Sequence, residues 1–154
     1  MLSHEETKIL CETNAGTPMG ELFRRFWIPV LISEELPEPD CTPVATKILG
    51  EDLLAFRDTN GKVGLVSAYC AHRHAKLFWG RNEECGLRCT YHGWKYDVNG
   101  NCVDMPNELA ENEFKDKVKI QSYPTKEAGA CIWAYMGPKE LEPAEIPYLE
   151  WARV

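Results

Sequence analysis

The chain has 154 residues and a formal net charge of −7, which comes from 24 acidic and 17 basic side chains. This length suits one domain, and the acidic balance argues against a nucleic-acid partner, because phosphate binding needs a basic face. The sequence has no apolar run of the roughly 18 residues that a membrane span needs, and residues 1–10 do not look like a signal peptide, so we expect a cytoplasmic protein.

Residues 1–33 predict a short helix followed by the first strand. Thr17 suits the N-cap position of a helix, and Pro18 suits its first helical position. Apolar residues then recur at helical spacing: Leu22, Phe23, Phe26 and Trp27. Pro29 disfavours a helical conformation at the residue before it, so we expect the strand to begin there. An acidic, proline-rich connector follows at 34–40.

Short apolar runs dominate the middle of the chain. We predict strands at 44–49, 53–57, 63–66, 86–89, 94–98, 118–121 and 131–136. The dipeptides Asn60-Gly61 and Asn99-Gly100 are strong hairpin signals. Many short strands at regular spacing predict an all-β sandwich or barrel, which we place at 34–137. Residues 138–154 begin with a proline-rich acidic stretch typical of a linker that leaves the domain.

Two short segments carry the candidate ligands: Cys70-Ala71-His72 and Cys89-Thr90-Tyr91-His92. Two thiolates and two imidazoles are the ligand set of a Rieske-type [2Fe–2S] centre. We expect Cys70 and Cys89 to bind one iron, and His72 and His92 to bind the other. The alternative is a zinc site, but zinc-binding pairs usually leave two or more residues between ligands, and Cys-x-His is shorter.

The flanking residues sharpen this interpretation. The stretches at 70–77 and 86–97 resemble the N-terminal domain of Rieske non-haem iron oxygenases, in particular the phthalate dioxygenase-like group. The resemblance continues at 16–29, 99–106 and 133–138, and so covers nearly the whole chain. It implies a small β fold with two cluster-binding loops at one end. It also implies a flavin and iron–sulfur reductase as electron donor and an oxygenase catalytic domain as acceptor, with homo-oligomers formed only by the full-length chain.

The chain departs from the family pattern at two positions of the first segment. Relatives have Pro and Gly where this chain has Ala71 and His74. A glycine there would allow positive φ or a close backbone approach, which a bulky imidazole makes harder. His74 either makes the potential of the cluster depend on pH at about pH 6–7 or stays an exposed side chain without effect.

Four residues are expected to surround the cluster without coordinating iron: Arg73, His74, Trp94 and Tyr96. High-potential Rieske proteins have a disulfide where this chain has Ala75 and Tyr91, and a serine where it has Trp94. Tyr96 stands where a further hydrogen-bond donor to the cluster sits. Because fewer hydrogen bonds to sulfur lower the potential, we predict a value toward the low end of about −150 to +300 mV.

Other nearby residues have two interpretations each. One apolar group either shields the cluster from water or is ordinary core: Leu77, Phe78, Trp79 and Trp94. One basic group either faces a redox partner or is ordinary surface: Arg73, Lys76 and Arg81. Cys102 and Cys131 are expected to be buried apolar residues. Cys85 is close enough in sequence to the second segment to be considered as a ligand, although four ligands already suffice.

The histidine count bears on what the chain can do. An oxygenase activates O₂ at a mononuclear iron held by two histidines and a carboxylate. Beyond the cluster pair this chain has only His4 and His74, which we do not expect to converge. We therefore expect the chain to deliver electrons rather than to hydroxylate a substrate. The alternatives are a free-standing Rieske ferredoxin and a zinc-binding module without a redox role.

Overall fold

The structure, a computed structural model, describes residues 1–109, 114–146 and 150. Within those residues it has two helices, α1 (His4–Cys11) and α2 (Pro18–Phe23). The strands are β1 (Trp27–Ile32), β2 (Val44–Ile48), β3 (Glu51–Arg57), β4 (Val63–Ser67), β5 (Arg81–Glu83), β6 (Gly86–Arg88), β7 (Lys95–Tyr96), β8 (Cys102–Asp104), β9 (Ser122–Tyr123), β10 (Thr125–Ala128) and β11 (Cys131–Tyr135). The predicted all-β class is confirmed. None of the helices in the described part of the chain is long and apolar enough to cross a membrane.

The strands form three antiparallel sheets. A terminal sheet has the order β1-β11-β10, a central sheet has the order β2-β3-β4-β9, and a ligand sheet has the order β5-β6-β7-β8. One apolar cluster lies between the central and terminal sheets and includes Leu65 and Ile132. A second lies between the central and ligand sheets and includes Phe56, Leu87 and the candidate ligand Cys89. The ligand sheet is therefore held on a packed core.

The local hairpin signals are confirmed. Asn60-Gly61 joins β3 to β4, where Asp58 N donates to the Lys62 carbonyl at 2.8 Å. Asn99-Gly100 joins β7 to β8, where Asp97 N donates to the Asn101 carbonyl at 3.0 Å. Both turns are set by residues adjacent in sequence, which is why they could be predicted.

The N-terminal prediction is right at its start and wrong at its end. The Thr17 side chain accepts from Gly20 N and caps α2 as expected, but the helix stops at Phe23. Trp27 already belongs to β1, where it is buried, and Pro29 lies inside that strand beside a register shift. The apolar residues of the helix and the turn after it do not enter the core: Leu22, Phe23 and Phe26 are about half exposed.

Some elements were not predicted. Helix α1 begins with a capping box between Ser3 and Glu6. Strands β5, β8 and β10 have three or four residues each and take their conformation from their neighbours in the sheets. The strand predicted at 118–121 is an isolated bridge between Asn101 and Lys119, and β9 begins only at Ser122.

The segment after β11 runs back along the domain. The Trp27 indole donates to the Pro143 carbonyl at 2.9 Å, and Lys126 Nζ donates to the Ala144 carbonyl at 2.7 Å. Residues 147–149 and 151–154 of the predicted linker lie outside the described residues. The boundaries at 33/34 and 137/138 stay predictions.

Candidate metal centre

The candidate ligands lie in two loops at one edge of the ligand sheet. Loop 1 (residues 70–75) precedes a 3₁₀ turn and β5, and loop 2 (residues 89–94) joins β6 to β7. The first residue of β5, Arg81, pairs with the last residue of β6, Arg88. Because these two strands are antiparallel, the chain enters β5 and leaves β6 at the same edge. The sheet thus brings together two segments that are apart in sequence.

Loop 1 is a closed six-residue turn. Cys70 N donates to the Ala75 carbonyl at 2.9 Å, and His74 N donates to the Cys70 carbonyl at 3.0 Å. His74 has a φ of 53°, a left-handed conformation that favours glycine. The sequence departure at His74 therefore falls on a position where the backbone is strained.

Loop 2 repeats the same hydrogen bonds. Cys89 N donates to the Trp94 carbonyl at 2.9 Å, and Gly93 N donates to the Cys89 carbonyl at 3.0 Å. Gly93 has a φ of 77° and occupies the place that His74 occupies in loop 1. The two loops share one backbone design, in which the cysteine comes first and the left-handed residue fifth.

The two thiols are buried side by side. Cys70 and Cys89 are 2% and 3% exposed. Burial raises the pKa of Cys89, and the neighbouring Cys70 raises it further by charge repulsion and a hydrogen bond. Two thiolates in such a place need a compensating positive charge, which a bound metal supplies.

The two imidazoles form a second pair. The rings of His72 and His92 meet edge to face, with centroids 4.5 Å apart. Nδ1 of each ring is buried and has no hydrogen-bond partner among the described residues. Burial, together with the charges of His72 and Arg73, lowers the pKa of His92 and so favours the neutral form that binds metals.

This donor set fits a two-iron cluster. Leaving two buried ring nitrogens unpaired costs stability unless a ligand satisfies them. A thiol pair beside an imidazole pair suits a cluster that takes two thiolates on one iron and two imidazoles on the other. A single zinc ion would require all four donors around one point.

Tyr96 contacts loop 1 directly. Its hydroxyl lies 3.2 Å from Cys70 Sγ and accepts a hydrogen bond from Ala71 N at 3.2 Å. Burial and the adjacent Cys70 raise the pKa of Tyr96, so the hydroxyl keeps its proton. Because the amide occupies the oxygen as acceptor, that proton can be donated to the sulfur.

Trp94 links the two loops. It ends loop 2, yet its ring stacks on His72 of loop 1 with centroids 4.6 Å apart and planes 12° apart. Its indole nitrogen donates to Asn107 Oδ1 at 2.6 Å. Trp94 is 5% exposed, and its ring covers one face of His72.

The other expected neighbours are placed differently. Arg73 and His74 are exposed on loop 1, and the His74 ring lies 6.2 Å from the Tyr69 ring. Cys85 sits at the opposite end of β6 from loop 2, where Asn60 Nδ2 lies 3.0 Å from its sulfur. It is not among the grouped ligands.

The expected shield is partly wrong. Leu77 is fully buried and Phe78 packs against the same apolar cluster. Trp79 is 70% exposed and lies on the surface. Lys76 and Arg81 are exposed as well, which fits both interpretations given to the basic group.

One contributor was not anticipated. Arg88 directly precedes Cys89, and its side chain bonds to Gly93, Glu83 and Asp104. Nothing in the sequence next to Arg88 identifies it, since one of its partners is 16 residues further along the chain.

Comparison with known proteins agrees with this geometry. The family model described as "Rieske [2Fe-2S] domain" matches residues 26–124. The chain is 50% identical over 96% of its length to the phthalate 4,5-dioxygenase oxygenase subunit of Pseudomonas putida, covering 34% of that protein. It is 48% identical over 95% of its length to the 3-chlorobenzoate-3,4-dioxygenase oxygenase subunit of Comamonas testosteroni, covering 33% of it.

The fold comparison gives the same result. The crystal structure of dicamba monooxygenase with non-heme iron and dicamba superposes with a TM-score of 0.71 at 29% identity. The match covers 84% of this chain and 39% of that one. The chain therefore spans about a third of the curated relatives and somewhat more of this solved structure.

Proposed function

From the premise that this chain belongs to the Rieske [2Fe–2S] domain family, we propose that Cys70 and Cys89 bind one iron of the cluster and that His72 and His92 bind the other. The cofactor is a Rieske-type [2Fe–2S] cluster. The observation that carries the assignment is the pair of buried, unpartnered Nδ1 atoms beside the two buried thiols.

The cluster supplies one-electron transfer, and the surrounding residues prepare its site. Leu77 and Trp94 pack in one apolar cluster with Cys70 and Cys89 and limit the access of water to these two thiols. The Tyr96 hydroxyl donates a hydrogen bond to Cys70 Sγ. The hydrogen-bonded loops hold the ligands in place, so a change of charge at the site requires little rearrangement of the protein. A rigid and partly shielded site of this kind suits electron transfer.

The direction of electron flow is the finer part of the proposal. We infer that electrons arrive from a flavin and iron–sulfur reductase and leave for the mononuclear iron of an aromatic-ring-hydroxylating oxygenase. The similarity to two dioxygenase oxygenase subunits supports this, because it covers nearly the whole chain but only a third of theirs. The catalytic half of such a protein would then be the electron acceptor.

A free-standing Rieske ferredoxin is the alternative. The similarity to oxygenase subunits includes the N-terminal segment, with 96% of the chain aligned, and this favours the oxygenase interpretation. Reconstitution separates the two. If the chain is the Rieske domain of an oxygenase, we expect it to reduce the mononuclear iron of its own catalytic domain in a single turnover. If it is a free-standing carrier, we expect it to reduce the Rieske cluster of a separate, complete oxygenase.

Ligand identity is tested with a matched pair of cysteine variants. We expect anaerobically purified protein to contain two irons and two sulfides per chain, and to give the low average g-value that marks histidine ligation when reduced. Cys89→Ser should abolish the spectrum. Cys102→Ser should leave it intact, because Cys102 is equally buried but is not a proposed ligand. Zinc in place of iron and sulfide would contradict the proposal.

A further inference from the structure

Arg88 makes an unusual set of contacts beside the metal centre. Its Nη1 donates to the Gly93 carbonyl at 2.8 Å and to Asp104 Oδ2 at 2.7 Å. Its Nε donates to Glu83 Oε1 at 2.7 Å. The Arg88 side chain is 14% exposed, while the carboxylates of Glu83 and Asp104 that it meets are partly exposed.

The guanidinium group is held from three directions. Glu83 belongs to β5, Asp104 ends β8 and Gly93 belongs to loop 2. Both Nη1 protons are used, one toward the loop and one toward Asp104. A planar group with several donors in fixed directions can satisfy such partners together, which a lysine ammonium on a flexible stem does less well.

The hydrogen bond from Arg88 to Gly93 lies next to a proposed ligand. Gly93 directly follows His92 and carries the left-handed bend whose N–H closes loop 2 onto Cys89. Its carbonyl points to the guanidinium of the residue that precedes Cys89. Arg88 therefore spans the loop from just before its cysteine ligand to just after its histidine ligand.

We propose that Arg88 is a positioning residue of the metal centre, which fixes Gly93 and thereby the orientation of His92 relative to Cys89. This inference rests on the proposed ligand assignment. The positive charge of Arg88 is compensated by Glu83 and Asp104, so its main effect is on the geometry of loop 2 rather than on the electrostatic potential at the metal centre. Removing a residue that orients metal ligands typically costs 10- to 100-fold in metal affinity.

The chain offers a matched control in Arg81. It also forms an ion pair with Glu83, at 3.1 Å, but it is 67% exposed, and within the described part of the chain its side chain forms no hydrogen bond or ion pair with loop 2. Arg88→Met and Arg81→Met remove the same charge beside the same carboxylate. Arg88→Lys keeps the charge and the aliphatic stem while losing the planar fork.

The experiment follows cluster loss from the full 154-residue chain in excess chelator, together with the EPR spectrum of the reduced protein. We expect cluster loss about 10-fold faster in Arg88→Met, with broadened g-values, and a rate near wild type in Arg81→Met. Arg88→Lys should show a smaller change in the same direction. If Arg88→Met does not fold, the comparison of Arg88→Lys with wild type gives the same test.

Two results would overturn the inference. One is a rate and spectrum in Arg88→Met equal to those of Arg81→Met, and the other is complete retention of wild-type behaviour in Arg88→Lys. Either result leaves the proposed function standing, as long as the wild-type protein shows the Rieske spectrum. Absence of that spectrum in wild type would instead contradict the proposed function itself.

Discussion

Loop 1 and loop 2 have the same backbone hydrogen bonds but different side-chain support. In loop 1 the residue before the cysteine is Tyr69, whose ring lies 6.2 Å from that of the left-handed residue His74. In loop 2 the corresponding residues are Arg88 and Gly93, which are joined by a hydrogen bond of 2.8 Å. The same two positions thus form a distant contact between two rings in loop 1 and a charge-assisted hydrogen bond in loop 2.

The two loops also draw their support from different parts of the molecule. Loop 1 is held from inside the core by Tyr96, which is fully buried. Loop 2 is held from the outside by an ion network whose carboxylates, Glu83 and Asp104, have side chains 34% and 44% exposed. The shared backbone thus brings the ligands together in both loops, while the side-chain contacts that support each loop, and its sensitivity to acid, differ between the two.

The largest effect is expected from removing the glycine of loop 2. Gly93→Ala places a Cβ on a residue with φ of 77°, 3.1 Å from Pro106 Cγ. We expect a loss of about 1–2 kcal/mol in the free energy of unfolding, because left-handed backbone is costly for alanine. Urea denaturation measures this, with Gly61→Ala as control, since Gly61 also has positive φ but open space around it. Equal losses of unfolding free energy in the two variants would mean that the contact with Pro106 does not contribute to the effect of Gly93→Ala.

A smaller effect is expected on the potential when loop 1 loses its core contact. Tyr96→Phe removes the hydroxyl that faces Cys70 Sγ. Losing one hydrogen bond of roughly 1 kcal/mol to the reduced cluster should lower the midpoint potential by roughly 40 mV, because about 59 mV corresponds to a tenfold change for one electron. A redox titration measures it. Tyr135→Phe, a buried tyrosine whose hydroxyl bonds the Pro138 carbonyl, should leave the potential unchanged.

The support of loop 2 should be sensitive to acid. The Arg88 guanidinium lowers the pKa of Asp104, so this carboxylate stabilises the fold above its unfolded pKa of about 3.9. The stabilisation is lost as the pH falls through the lower, folded pKa. Since Asp104 is partly exposed, we expect Asp104→Asn to cost only about 0.5 kcal/mol at pH 7.

The same variant gives the matching pH measurement. The difference in unfolding free energy between wild type and Asp104→Asn should shrink as the pH falls below about 4, because wild-type Asp104 then takes up a proton. Denaturation at pH 7 and at successive lower pH values follows this. A difference that stays constant with pH would mean that the ion pair does not stabilise loop 2.

An effect of similar size but opposite sign is expected at His74. His74→Gly removes a side chain from a backbone with φ of 53°. The relief of left-handed strain is partly offset by the greater freedom of glycine in the unfolded chain, so we expect a gain of about 0.5 kcal/mol. Thermal unfolding measures it. A loss of stability would show that the Tyr69 contact outweighs the strain, and would make the two loops more alike than their geometry indicates.

Much of the site could be predicted because its signals are local. The Cys-x-His and Cys-x₂-His segments name four donors of two kinds, and the structure places their loops at one sheet edge. The hairpins at Asn60-Gly61 and Asn99-Gly100 were predictable for the same reason. Helix α1 had a local signal as well, the capping box of Ser3 and Glu6, which the prediction overlooked.

The remainder depends on contacts between distant residues. Strand β5 is Arg81-Asn82-Glu83, which has no apolar alternation and is a strand only because it pairs with β6. Trp79 is a large apolar residue beside the ligand loop, yet it is exposed, and residue type alone gives no reason for that. Arg88 becomes part of the site through Glu83 and Asp104, whose proximity is created by the sheet.

The bonds that hold the segment after β11 bear on how this domain is connected mechanically. Ala144 is fixed to β10 through Lys126, and Pro143 is fixed to β1 through Trp27. A mechanical force applied to the chain beyond residue 146 would therefore act first on the terminal sheet, which is not the sheet that carries the two loops. A fluorophore or fusion partner attached beyond residue 146 should consequently leave the spectrum of the cluster unchanged, because this segment is held by the terminal sheet and not by the ligand loops.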